Sequence, residues 1–240
     1  SGNLNFRSDK FNIFGSSSYR TGERFSEGLR QFDFEYNSSF TNSENGDSIR
    51  YLYQDTEDLK NSKNLSFRFG GDYYPSKTST FSYTSTFNQK NQEANENIYW
   101  TRPSIDTLIV DESEDENNYS HSLSYENKFN SQTKKLNISL DYSKNLEEEV
   151  ENTADESDNS ILNDQENDAS IVIFDYEDKI FNLFNIETGF KATLKSVKDN
   201  LNYLDQEYIY NYDEDIYAAY TTLGYQFSDR LGFKGGVRYE

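Results

Sequence analysis

Between Ile180 and Lys195 the chain alternates with a period of two. Ile180, Phe184, Ile186, Phe190, Ala192 and Leu194 share one parity, and Asn185, Glu187, Gly189, Lys191, Thr193 and Lys195 hold the other. That spacing puts all the apolar side chains on one face of a β-strand, whereas a helix would scatter them around its circumference. At about 3.3 Å per residue, such a strand is roughly 50 Å long. Two more strands follow. Tyr217, Ala219, Thr221, Leu223, Tyr225 and Phe227 share a parity, Ser228-Asp229-Arg230 reverses the chain, and Leu231, Phe233, Gly235, Val237 and Tyr239 alternate with Gly232, Lys234, Gly236, Arg238 and Glu240. A face carrying Lys, Arg and Glu cannot fill a packed core, but it can line a wet lumen. An apolar outer face, a charged inner face, long strands and short reversals predict an all-β protein, a transmembrane antiparallel up-and-down barrel.

The same alternation runs along the rest of the chain. Leu4 and Phe6, then Phe11, Ile13, Gly15, Ser17 and Tyr19, mark two strands reversed at Asp9-Lys10, with Phe14 breaking the polar parity. A polar loop is expected over 21–28. Phe32, Phe34, Tyr36 and Phe40 predict a third strand, and the Asn-Gly within 42–47 signals a hairpin. Ile49, Tyr51 and Tyr53 form a weak fourth strand. Leu65 to Tyr73, Phe81 to Phe87, Tyr119 to Phe129, Leu136 to Tyr142 and Val172 to Tyr176 supply the fifth to ninth. The count reaches about twelve, with short reversals alternating with longer acidic connections near 89–117, 144–169 and 196–211, expected as extracellular loops. Residues 1–240 read as one partial barrel domain. The chain starts and stops within strand patterns, so it is expected to be a segment of a longer polypeptide. Ser1 to Phe6 lacks the basic and apolar regions of a signal peptide.

Composition sharpens this picture. Tyr and Phe number 20 and 18, yet they are dispersed among polar residues, and no run reaches the ~18–20 apolar residues of a membrane helix. In a bilayer the chain can therefore stand only as a closed sheet. The formal net charge of −20 argues against nucleic acid as a partner. Cys is absent, which removes disulfides and thiolate metal sites.

Candidate chemistry is sparse. His121 is the only His and shares the outer parity of Leu123 and Tyr125, while Ser120 and Ser122 point the other way, so no Ser-His-Asp arrangement forms. No catalytic residue is assigned and an enzyme is not expected. The acidic run Asp111 to Glu116 lacks the Gly and ligand spacing of an EF-hand, so no metal site and no cofactor are expected. Loose divalent bridging to anionic lipopolysaccharide fits it better. The lumen-facing candidates are Glu187, Lys191, Lys195, Lys234, Arg238 and Glu240, read either as a cross-strand network holding register or as contacts to a plug or passing substrate. The candidates for aromatic girdles at the membrane surfaces are Tyr73, Tyr74, Tyr208, Tyr210 and Tyr212.

Several stretches resemble successive strands of the TonB-dependent receptor barrels, most closely the outer-membrane β-barrel type common in Bacteroidota. They are Gly2-Asn3-Leu4-Asn5-Phe6-Arg7, Phe11-Asn12-Ile13-Phe14-Gly15, Asp175-Tyr176, Ile186-Glu187-Thr188-Gly189-Phe190-Lys191, Ile216-Tyr217-Ala218-Ala219-Tyr220 and Gly236-Val237-Arg238-Tyr239-Glu240. The resemblance implies a middle portion of a barrel of about 22 strands in a Gram-negative outer membrane. It implies a role as channel wall with ligand-capturing extracellular loops, surrounded by outer-membrane lipid and lipopolysaccharide. It also implies, outside this segment, a plug domain and a TonB contact, and allows a lipoprotein lid. A complete small barrel acting as a channel or adhesin, a structural barrel subunit of an envelope complex, and a soluble secreted acidic β-protein are the other readings.

Overall fold

The computed structural model describes residues 1–33, 51–102, 106–129, 133–154, 159–181, 183–204, 206–228 and 231–240. They form ten strands: β1 (Gly2–Arg7), β2 (Phe11–Asp33), β3 (Tyr51–Tyr73), β4 (Ser79–Arg102), β5 (Asp106–Asn127), β6 (Lys135–Ala154), β7 (Asn159–Ile180), β8 (Phe184–Tyr203), β9 (Gln206–Ser228) and β10 (Leu231–Tyr239). All lie in one sheet in sequence order, each antiparallel to the next. Among the described residues there is no helix and no second layer.

The register is what turns separate sequence patterns into one surface. Phe11 lies opposite Tyr73, Tyr73 opposite Phe81, Phe81 opposite Tyr125, Tyr125 opposite Ile138, Ile138 opposite Phe174, and Phe174 opposite Phe190. Since a one-residue slip would move a whole apolar set to the other face, this agreement across consecutive ladders is strong specification. The aromatics also touch. Phe11 and Tyr73 rings stack at 4.9 Å, and Phe81 and Tyr125 lie 4.4 Å apart.

There is almost no buried core to hold this sheet. Ala192 and Ala218 are the only buried hydrophobic residues described. Large apolar side chains of the same face stand open instead, among them Leu4 at 70% and Phe233 at 65% exposure. An apolar patch of this size on one face of a single sheet must be covered by another apolar phase.

The alternation predicts about twelve strands, with polar loops between them; the structure describes ten. The expected loop 21–28 is part of β2 and pairs residue by residue with 56–63 of β3, so the second and third expected strands merge, as do the fourth and fifth. Phe34, Tyr36, Phe40, Ile49 and the Asn-Gly turn lie outside the described residues. The expected loops near 89–117, 144–169 and 196–211 are likewise the paired distal parts of β4 with β5, β6 with β7, and β8 with β9. Polar residues on both faces hide the period of two from a hydropathy pattern, while the ladder hydrogen bonds continue. As a result β2 to β9 run from 20 to 24 residues, about twice the 9–11 that cross a bilayer.

The polar face and the acidic hairpins

Strand alternation places Glu187, Lys191, Lys195, Lys234 and Arg238 together on the face opposite the aromatic surface, with Glu240 at the end of the same stripe. The structure joins them in two pairs rather than one network. Lys234 Nζ donates to Glu187 Oε1 and Oε2 at 2.7 and 2.8 Å, reaching from β10 across β9 to β8. Thr222 of the intervening strand donates its hydroxyl to Glu187 Oε2 at 3.1 Å. Gly224 lies directly opposite Lys234, so no side chain obstructs that reach. Arg238 donates to Glu240 Oε2 through Nε at 3.1 Å and a terminal nitrogen at 2.9 Å, within one strand. Lys191 and Lys195 form no ion pair among the described residues.

Other polar-face residues that the pattern does not single out are more tightly held. Asp72 accepts from Asn12 at 2.9 Å, from Ser82 at 2.7 Å and from Tyr74 at 3.3 Å, tying β2, β3, β4 and the turn after β3. Tyr220 of β9 donates to Asp175 of β7 across β8. Its ring lies on Gly189, where an added Cβ would come within 2.5 Å of it. Phe14, which breaks the sequence alternation, does the same over Gly70, where a Cβ would meet its ring at 2.6 Å, and Arg68 caps it at 5.6 Å. Each is an inward aromatic filling the space a glycine leaves on the next strand. The usable signal was an aromatic on the polar parity.

The five tyrosines expected in girdles divide. Tyr73 stays on the aromatic face at the short-turn end. Tyr74 turns to the polar side and reaches Asp72. Tyr208, Tyr210 and Tyr212 lie on the polar face, beyond the aromatic zone, opposite Leu201, Asp199 and Val197. The expectation came from clustering alone; the parity shared with Glu214 and Tyr220 gives the correct face. The aromatic face is instead bounded at its far end by Tyr19, Tyr119, Tyr142 and Tyr217. His121 belongs to that border. It stacks between Tyr83 and Tyr142, each 6.3 Å away, and its Nδ1 shares a hydrogen with the Tyr83 hydroxyl at 3.0 Å. Ser120 and Ser122 sit on the other face, as expected.

Beyond that border both faces are polar and acidic. On the outer face Lys144 pairs with Glu166 and lies 3.8 Å from Asp168, which accepts from Tyr142 at 2.7 Å. The Lys144 ammonium holds the Glu166 carboxyl below its ordinary pKa. On the inner face Glu116 lies opposite Glu147, Glu114 opposite Glu149, and Glu112 opposite Glu151. Lys90 of β4 pairs with Glu114, and Gln92 donates to it at 2.8 Å. No group of acidic or His side chains among the described residues is arranged to hold a metal ion.

A single sheet with aromatics on one face, ion pairs on the other and no interior fits one setting: aromatics toward lipid, ion pairs toward water. Residues 127–240 match the model of the outer membrane protein beta-barrel family. The part of the chain that carries β6 to β10 is thus similar to outer-membrane β-barrel wall, and the same antiparallel sheet continues from it back to β1. Two solved structures share the fold of this wall. The ferric yersiniabactin uptake receptor FyuA from Yersinia pestis aligns with a TM-score of 0.52 at 12% identity, covering 95% of this chain and 44% of that one. The siderophore receptor PiuA from Acinetobacter baumannii aligns with a TM-score of 0.50 at 10% identity, covering 93% and 41%. The wall thus spans less than half the length of either receptor. No curated protein matches its sequence.

Proposed function

We propose that this chain forms part of the barrel wall of a TonB-dependent receptor, with its polar face lining the channel and its distal hairpins capturing ligand outside the cell. The observation that carries the proposal is the aromatic face continuous over ten strands in register, extended by acidic ladders that double the strand length. A simple pore needs only enough strand to cross the bilayer. Strands of twice that length build a vestibule, as a receptor requires. The likeness to FyuA and PiuA supports the receptor reading at the level of fold. The rest of the receptor supplies further strands, a plug resting against the Glu187–Lys234 and Arg238–Glu240 region, and the TonB contact. A lipoprotein lid over the vestibule fits the same scheme. Tyr73 and Tyr176 at one border, and Tyr119, Tyr142 and His121 at the other, serve as girdles facing lipid and lipopolysaccharide. The polar-face tyrosines Tyr208, Tyr210 and Tyr212 belong to the vestibule.

The test uses the full-length parent protein, purified from the outer membrane and placed in a planar bilayer. A plugged receptor passes no steady current and cross-links to the TonB protein through its own plug-side segment. A stable open conductance with no TonB cross-link would instead establish the alternative, a small self-contained channel.

A further inference from the structure

The inner face of the β5–β6 hairpin contains an arrangement that works against its own pairing. Three successive rungs set carboxylate directly against carboxylate: Glu116 against Glu147, Glu114 against Glu149, and Glu112 against Glu151. Directly opposed side chains of this kind lie about 5 Å apart at Cβ, and like charges there destabilise the ladder. Among the described residues Lys90 on β4 is the one cation that pairs within the group, and it serves Glu114. Glu116 is satisfied by amides, accepting from Asn118 at 2.8 Å and Asn145 at 3.1 Å. From β4, Gln92 and Ala94 face Glu114 and Glu112. From β7, Gln165, Asn163 and Ile161 face Glu147, Glu149 and Glu151, and none carries charge. Asp199 of β8, beyond Gln165, adds only another negative charge. Glu147 and Glu149 are left without a donor among the described residues.

A second observation points at the same place. The side-chain oxygen Oδ1 of Asn163, on the residue directly across from Glu149, is buried and receives no hydrogen bond. A carboxylate cannot supply one, whereas a protonated carboxyl can.

We propose that Glu147 and Glu149 make the distal β5–β6–β7 ladder a proton-operated latch. With both ionised, the rungs repel and the seam between the outer β4–β5 and β6–β7 hairpins opens readily. With Glu149 protonated, the repulsion falls and its new O–H donates to Asn163 Oδ1, stitching β6 to β7. The inference needs only that these rungs lie in water above the membrane, so it stands apart from the receptor reading.

The electrostatics agree in direction. Burial, then the charges of Glu114, Glu116 and Glu149, push the Glu147 carboxyl above its ordinary value of 4.5. Burial, then Glu112, Glu114 and Glu151, do the same to Glu149. A carboxyl whose pKa is raised on folding gives its full stabilisation below the unfolded pKa and loses it as pH rises through the folded one. Pairing is therefore tightest below about pH 4.5 and weakest at neutral pH.

Hydrogen exchange on the full-length protein in outer-membrane vesicles tests this, read as protection factors so that intrinsic rates cancel. Segments 111–117, 146–151 and 160–165 are compared at pH 7.5 and 4.5, with the membrane segment 136–142 as the internal control. Protection in the three distal segments rises at the lower pH, while the control stays constant. Glu149→Gln, whose amide can donate to Asn163 at any pH, is protected at both pH values. Raising salt to about 1 M at pH 7.5 screens the rungs and restores part of the protection in the unmodified protein. Protection independent of pH, or a Glu149→Gln protein that keeps the full pH response, would overturn the latch. So would a change of equal size in the control segment.

Discussion

Strand β6 contains two different environments in one continuous ladder. From Leu136 to Tyr142 its outer side chains are Leu, Ile, Leu and Tyr, matched across both neighbours by Tyr125, Leu123, Phe174 and Val172. From Lys144 to Glu151 the same backbone pairing continues, but the side chains are charged on both faces and meet like charges across the rungs. The first half is held by where it sits, since a bilayer punishes any unpaired backbone group. The second half stands in water, where an exposed rung adds little and a like-charged rung subtracts. The shared hydrogen-bond pattern therefore conceals a large difference in local stability. The half that crosses the membrane is rigid wall, and the half above it is poised to move.

The sharpest way to break this comparison is one substitution placed twice. Leu140→Arg puts a charge on the lipid face and is expected to cost about 2–4 kcal/mol, read as loss of the heat-modifiable folded form in outer-membrane fractions. Val150→Arg, on the same face of the same strand above the border, is expected to change stability by less than about 0.5 kcal/mol. Equal effects would show that the two halves share one environment.

Within the wall, Gly189→Val forces a Cβ into the Tyr220 ring, which stands 2.5 Å from that position. It is expected to cost about 1–3 kcal/mol by overpacking, measured by denaturant unfolding of refolded protein. Replacing Tyr220 with Ala as well should recover part of that loss. Failure to recover would mean that the glycine is needed for another reason.

Smaller still is the Glu187–Lys234 pair, whose side chains are 40% and 59% exposed. Lys234→Ala is expected to cost under about 1 kcal/mol, with the difference from the unmodified protein shrinking in high salt. A larger, salt-independent loss would promote this pair from a register contact to a buried anchor. Phe181, at the β7–β8 turn, holds a φ of 53°. Phe181→Gly should relieve about 1 kcal/mol of backbone strain, seen as a small rise in the unfolding midpoint.

The lipid-facing wall was legible in the sequence because a bilayer imposes one rule on every strand: alternate residues must be apolar. That rule gave the face of Phe11, Phe81, Leu140 and Phe190, the short reversals, and the polar-face position of Glu187 and Lys234. It failed where the rule stops applying. Residues 21–28, 89–117, 144–169 and 196–211 lie partly or wholly in strands without apolar alternation, because water on both faces removes the selection for it. Their pairing is specified by neighbours distant in sequence, such as Lys90 with Glu114. Tyr208, Tyr210 and Tyr212 were misplaced for a related reason. Aromatic clustering suggests a girdle, but only register fixes the face. Phe14 looked like an exception to the pattern and became intelligible once Gly70 was seen beneath it.

The central claim is that one face of this sheet meets lipid and the other meets water. The chain contains no Cys, so single cysteines can be placed at 137 through 142 and then at 146 through 151, and spin-labelled in the outer membrane. Accessibility to oxygen against a water-soluble nickel chelate then reports each environment. The account predicts a period-two alternation over 137–142, with 138, 140 and 142 oxygen-accessible and shielded from nickel, and uniform nickel access over 146–151. Nickel access at Ile138 and Leu140 equal to that at Ser139 and Asp141 would contradict it.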